Sequence, residues 1–158
     1  NTQHCFEDWF AHQPGWSGVT GVAPKPADLV DTLPTKDLLL YFGHGTGEQY
    51  IPRSIMERVE GCPAAFLMGC SSARLSRDLL NECGGFFLAY LLAGSPFAIG
   101  NLWDITDRDI DRFAKALLEK CNKSDATEDA DTPLSSKFSA NSLKEARDAC
   151  RLKALTGS

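Results

Sequence analysis

Two short apolar runs each break at a glycine and then present a reactive side chain. Tyr41-Phe42-Gly43-His44-Gly45-Thr46-Gly47 delivers an imidazole, and Phe66-Leu67-Met68-Gly69-Cys70-Ser71-Ser72 delivers a thiol. A thiolate is a strong nucleophile, and a neighbouring imidazolium lowers a cysteine pKa far enough for ionisation near neutral pH. The same imidazole can protonate a leaving amine, a general-acid role typically worth about 100- to 10,000-fold. Gly45 has no side chain to keep a substrate carbonyl away from its N–H. With the N–H of Cys70 it makes a candidate oxyanion hole, where one donor is typically worth about 3 kcal/mol. Against this stands the plain alternative: a cysteine that ends a buried strand is most often an inert small hydrophobe. A phosphate cradle is a poorer fit, because Gly43-x-Gly45-x-Gly47 matches neither the P-loop nor the G-x-G-x-x-G fingerprint.

For the pair to meet, the elements beneath must bring both residues to one edge. A short apolar run closed by glycine reads as a buried parallel strand, which predicts strands over 37–42 and 64–68. A third is expected over 97–102. Between them the pattern predicts helices over 53–60, starting at Pro52 and ended by Gly61, over 72–81 capped by Ser72, and over 84–93. The last of these is apolar nearly all round and should be buried against a sheet. Strand-helix alternation of this kind implies parallel pairing with right-handed crossovers. Ligands of open α/β folds sit at the carboxyl edge of such a sheet, so adjacent first and second strands would set His44 against Cys70.

The third strand leads into Leu102-Trp103-Asp104-Ile105-Thr106-Asp107-Arg108-Asp109-Ile110-Asp111-Arg112. Carboxylates beside an aromatic ring suit a cationic group. Asp104, Asp107 and Asp111 share one helical face if the helix reaches that far. Acidic residues are also favoured at a helix start for dipole reasons alone, and that reading covers Asp107 and Asp109. Asp111, a full turn inside, is the better specificity candidate. The helix itself is predicted over 106–120, with Ile110, Phe113, Ala114, Leu117 and Leu118 on one stripe and Thr106 with Asp109 as a capping box. Residues 122–138 are expected as a flexible polar insertion, and a last helix is expected over 142–155 with Ser142 as cap. Residues 1–36 are turn-rich, with a helical turn or two over 5–11 and a short strand or loop over 15–21.

At 158 residues with a net charge of −5, the chain is sized for one domain, and its balance argues against general nucleic-acid binding. No apolar run approaches the roughly 20 residues that span a bilayer, and no leader is visible; the chain is expected to be a piece of something longer. The six cysteines show no C-x-x-C spacing, which disfavours a metal site. They are expected as reduced thiols in a reducing compartment, with Cys62 and Cys150 buried.

The blocks Tyr41–Tyr50, Leu67–Ser72, Tyr90–Gly94 and Gly100–Phe113, with Gly15-Trp16-Ser17-Gly18 and Ala149–Lys153, resemble the catalytic domain of the separase family in the right order. The resemblance spans about 14–120 and 141–157. It implies an α/β fold with a caspase-like parallel-sheet core flanked by helices on both faces. His44 would match the catalytic histidine, Cys70 the nucleophile and Gly45 the oxyanion donor. The family cuts the kleisin subunit of cohesin after arginine in an acidic-x-x-arginine context, in the cytoplasm and nucleus, to release sister chromatids. Asp111 would then bind the arginine, with Asp104 and Trp103 shaping its pocket. Securin would be a pseudosubstrate inhibitor and the rest of the separase chain an intramolecular partner. No cofactor is implied. Residues 76–83 depart from the family's loop after Cys-Ser-Ser. Two rivals remain: a bacterial HetF-associated caspase-like protease, over which the Asp-Arg-Asp-Ile-Asp-Arg run favours the separase family, and a catalytically idle caspase-fold interaction module.

Overall fold

A strand that is apolar on both faces belongs at the centre of a sheet covered on both sides. Ala64-Ala65-Phe66-Leu67-Met68 is such a strand. The computed structural model describes residues 6, 9, 10, 15–77, 83–123 and 134–151. Its elements in chain order are helix α1 (Pro26–Thr32), a 3-10 turn (Leu33–Thr35), strand β1 (Leu38–Phe42), helix α2 (Arg53–Met56) and strand β2 (Ala64–Met68). Strands β3 (Ser76–Arg77) and β4 (Cys83–Gly84) follow, then helix α3 (Phe86–Leu92) and strand β5 (Ala98–Gly100). Helix α4 (Asp107–Lys123), a second 3-10 turn (Leu134–Lys137) and helix α5 (Ala140–Arg147) complete the order. The chain forms two compact units, Asn1–Ile105 and Thr106–Ser158.

In the first unit β2 is central, with β1 on one side and β5 on the other, all parallel. The α/β parallel-sheet architecture expected from the sequence is therefore present. Every residue of β2 is buried. Burial of side chains such as Phe66 and Leu67 is worth roughly 1.5–3 kcal/mol each. Ala65 and Leu67 face a cluster with Met56 of α2 and Phe86, Ala89 and Tyr90 of α3, against which Leu29 and Val30 of α1 and Leu39 and Tyr41 of β1 also pack. On the alternate face of β1, Phe6, itself helical, packs against Phe42 in a tilted pair with ring centroids 4.4 Å apart.

Several local expectations are corrected. The helix expected over 72–81 is not formed by its described residues: Ser71–Ala73 turn tightly and Ser76–Arg77 pair antiparallel with Cys83–Gly84. Residues 78–82 lie outside the described set. Helix α2 is only four residues, shorter than the span 53–60. Its Arg53–Glu57 pair, 2.6 Å apart, bridges one turn on the surface, where such pairs add little. Helix α3 is not buried all round: Leu91 and Leu92 are exposed, so the apolar run overstates its buried face. Strand β5 is shorter than 97–102; over 16–20 the loop alternative holds. Helix α1 was not foreseen; Pro26 starts it by supplying a preset φ where no N–H is needed.

In the second unit α4 carries a buried stripe of Ile110, Ala114, Leu117, Leu118 and Cys121, close to the predicted one; Phe113 is only half-buried. The helix runs on to Lys123, into the span expected as an insertion, and Leu134–Lys137 form a 3-10 turn there. Residues 124–133 lie outside the described set. Helix α5 starts earlier than expected, because Ser139 rather than Ser142 is the cap: Ser142 N–H donates to Ser139 Oγ at 3.2 Å. Lys120 of α4 pairs with Glu145 of α5. Cys62 is buried as expected, whereas Cys150 is half-exposed.

Candidate active site

The register of β1 on β2 carries the site. Leu38 faces Ala64 and Phe42 faces Met68, an offset equal to the separation of His44 and Cys70 in the chain. Both residues therefore leave the sheet at the same carboxyl edge, two positions beyond their strands. The two strand ends touch through backbone at Gly69. A Cβ on Gly69 would overlap the carbonyl of Gly45 and stand 2.7 Å from Gly43 O and 3.0 Å from Gly45 N. Any side chain at position 69 would therefore push the histidine loop off the cysteine turn.

The histidine loop is held by its carbonyls. Tyr41 Oη donates to His44 O at 2.9 Å, and Gln49 Nε2 reaches the same oxygen at 3.2 Å and Tyr41 Oη at 3.1 Å. Tyr90 Oη, from α3, donates to Thr46 O at 3.0 Å. Burial raises the pKa of both phenols, so both stay protonated donors through the neutral range. His44 itself is exposed. Gly45 is left-handed at φ +61°, and nothing lies within 4 Å of where its Cβ would be; a side chain there would be strained and would fill open space beside the loop.

The cysteine turn is fastened to the segment that follows β5. Cys70, half-buried, donates its S–H to Ile105 O at 3.1 Å. Ser71 N–H donates to Trp103 O at 3.1 Å, and Ser71 Oγ donates to Asp104 Oδ1 at 2.6 Å. Asn101 Nδ2 donates to Gly69 O at 3.0 Å. Fully buried Ser72 accepts from Asn101 N–H at 3.0 Å and donates to Leu67 O. Ser71 adopts φ +52°, a left-handed conformation that is unusual for a residue with a side chain.

Of the expected site residues, His44, Gly45, Cys70, Trp103 and Asp104 all belong to the first unit, at the carboxyl edge of its sheet. Trp103 is exposed and Asp104 is engaged by Ser71. Asp111 lies half-buried on α4 in the second unit. Tyr41, Gln49, Tyr90, Ser71 and Asn101 were not singled out by chemistry-bearing type. Tyr41 and Gln49 act on the nearby His44 carbonyl, whereas Tyr90, Asn101 and Ser71 reach partners distant in sequence, and no spacing rule reveals those. Among the described residues there is no group of three or more His, Cys, Asp or Glu placed to hold a metal ion, and no helix is long and apolar enough to cross a membrane.

Comparison with known proteins adds family information. The family described as "Separin, protease domain" matches residues 1–110. The chain is 47% identical to the separin of Emericella nidulans over 75% of this chain and 6% of that protein. It is 40% identical to the separin of Mus musculus over 75% of this chain and 6% of that protein. It also superposes on the separase of Saccharomyces cerevisiae in a crystal structure of the separase–securin complex. There the TM-score is 0.77 with 31% sequence identity, over 95% of this chain and 10% of the other. The chain thus spans only a small fraction of the length of the relatives it matches.

Proposed function

The chain belongs to the separin protease-domain family, and from that premise we propose that it holds the catalytic dyad of a cysteine endopeptidase acting in sister-chromatid separation. Cys70 is the nucleophile and His44 its base and acid. The observation that carries this reading is the β1–β2 register together with the backbone contact at Gly69, which bring the two strand ends to one edge.

The steps follow from the residue chemistry. His44 takes the thiol proton, and the Cys70 sulfur attacks the scissile carbonyl carbon. The oxygen becomes an oxyanion, for which the N–H groups of Gly45 and Cys70 are the donors. His44 then gives its proton to the departing amine as the C–N bond breaks, leaving a thioester. Water, deprotonated by His44, adds to that thioester and expels the Cys70 thiolate. The thiol's bond to the Ile105 carbonyl belongs to the resting enzyme and is given up when the sulfur turns to the imidazole.

For specificity, the proposed target is arginine in an acidic-x-x-arginine context in the kleisin subunit of cohesin. Asp111 is the arginine ligand, and Trp103 with Asp104 shapes the wall. Securin is the proposed pseudosubstrate inhibitor, bound in the same cleft, with the rest of the separase chain completing the enzyme in the cytoplasm and nucleus. Support for this part comes from the matching family blocks.

An arginine-directed electrophilic peptide tests the dyad on the full-length protein. Parent enzyme should be labelled at Cys70, and Cys70→Ser should not; equal labelling of the two sinks the dyad. Asp111→Ala should cut kcat/KM for arginine substrates at least 100-fold while leaving the fold intact, on the scale expected when the partner of a bound charge is removed. An unchanged kcat/KM would move the arginine ligand elsewhere.

A further inference from the structure

We infer that Ser71 and Asp104 form a latch that positions the Cys70 nucleophile: the Asp104 carboxylate, acting through Ser71 Oγ, holds the turn after Cys70 in its left-handed conformation. The inference rests on the dyad reading and adds two positioning residues to it.

Residue 71 is where the backbone departs from ordinary geometry. Among the described residues, Ser71 is the non-glycine residue with positive φ, at +52°. A glycine would adopt this conformation without a steric penalty, so retaining a side chain here has a cost that something else must offset. The hydroxyl supplies it. Its 2.6 Å bond to Asp104 Oδ1 is charge-assisted and short, and the adjoining N–H is taken by Trp103 O. Gly69, Cys70 and Ser71 are each bonded to the segment 101–105, but only the Ser71–Asp104 bond joins two side chains on the exposed side of the turn. That bond fixes the Cys70–Ser71 peptide, and with it the direction of the Cys70 side chain and N–H. Both must be aimed at one carbonyl, and a nucleophile misplaced by even 1 Å can cost about 100-fold.

This role differs from direct binding of a substrate guanidinium by Asp104. An arginine ligand would act mainly on KM and on the preference for arginine over uncharged analogues. A positioning residue acts on kcat whatever the substrate carries.

The decisive variant is Ser71→Gly in the full-length protein. It removes the strain and the hydroxyl together. A purely structural serine would make it neutral or stabilising with parental turnover. The latch predicts an unchanged or higher melting temperature, with kcat lowered about 10- to 100-fold and KM within about threefold. Asp104→Ala should match that drop, Asp104→Asn should restore part of it, and Ser71→Gly/Asp104→Ala should be no worse than either single change. Parental kcat in Ser71→Gly overturns the latch, as does a multiplicative double variant. So does an Asp104→Ala defect confined to KM and to arginine preference. Cys70→Ser, labelled in parallel, separates this failure from failure of the dyad itself.

Discussion

Single side chains decide more here through what they bond than through what they are. Asp109 illustrates this. By type and position it is one of several acids at the start of a helix, where the dipole alone accounts for it. In the structure it is 2% exposed. Its Oδ1 accepts from Arg112 Nη1 and from the Arg151 N–H, each at 2.9 Å, and its Oδ2 lies 3.4 Å from Thr106 Oγ1. The carboxylate thus ties the first turn of α4 to the chain beyond α5. Asp109→Ala should destabilise the protein by about 2 kcal/mol, since a charged acceptor of two bonds is lost but Arg112 is partly solvated. Chemical denaturation measures this, and a change below half that size would show the node to be ornamental. At the other residue of this kind, Tyr41→Phe removes one of the two donors to the His44 carbonyl. We expect a several-fold loss of kcat with little change in unfolding midpoint, read from peptide turnover and thermal melts.

At the scale of elements, the site is a property of strand register. β1 and β2 end together, and the chain leaves each through glycine, so two loops can pack backbone on backbone. Gly69→Ala tests that contact most directly. Overpacking of this kind typically costs about 1–3 kcal/mol. The displaced group is the histidine loop, so Cys70 labelling should fall far more than stability does. Retained labelling would mean that the loops tolerate separation. Helix α3 contributes from behind the sheet: Tyr90→Phe, which leaves the Thr46 carbonyl without this donor, should cost about 1 kcal/mol by thermal unfolding. The same scale explains the misread span after Cys70. Ser72 precedes a helix-compatible run and has the side chain of a cap. Its hydroxyl is instead spent on Leu67 and Asn101, partners that a local pattern cannot anticipate.

For the molecule as a whole, buried thiols give a pH signature, since burial raises the pKa of both Cys62 and Cys121. Burial pushes the Cys62 thiol from 9.0 up to about 11. The folded state therefore favours the protonated form, and the associated stability is fully present below about pH 9 and lost as pH rises towards about 11. Denaturant midpoints should fall across that window. Cys62→Ala should flatten the fall, whereas an equal slope in the variant would assign it to other groups, the buried Tyr90 phenol among them.

The amino-acid sequence by itself determined the central strand, the parallel β1–β2–β5 order's ingredients, the stripe of α4, and the identities of His44 and Cys70, because burial and periodicity are local quantities that residue types carry directly. Tertiary structure alone decided the register that aligns the two strand ends, the close approach at Gly69, the left-handed turn at Ser71 and its bond to Asp104. It also decided the burial of Asp109. These depend on which distant carbonyls and carboxylates come within hydrogen-bond reach once the chain has folded, and no spacing in the sequence encodes that meeting.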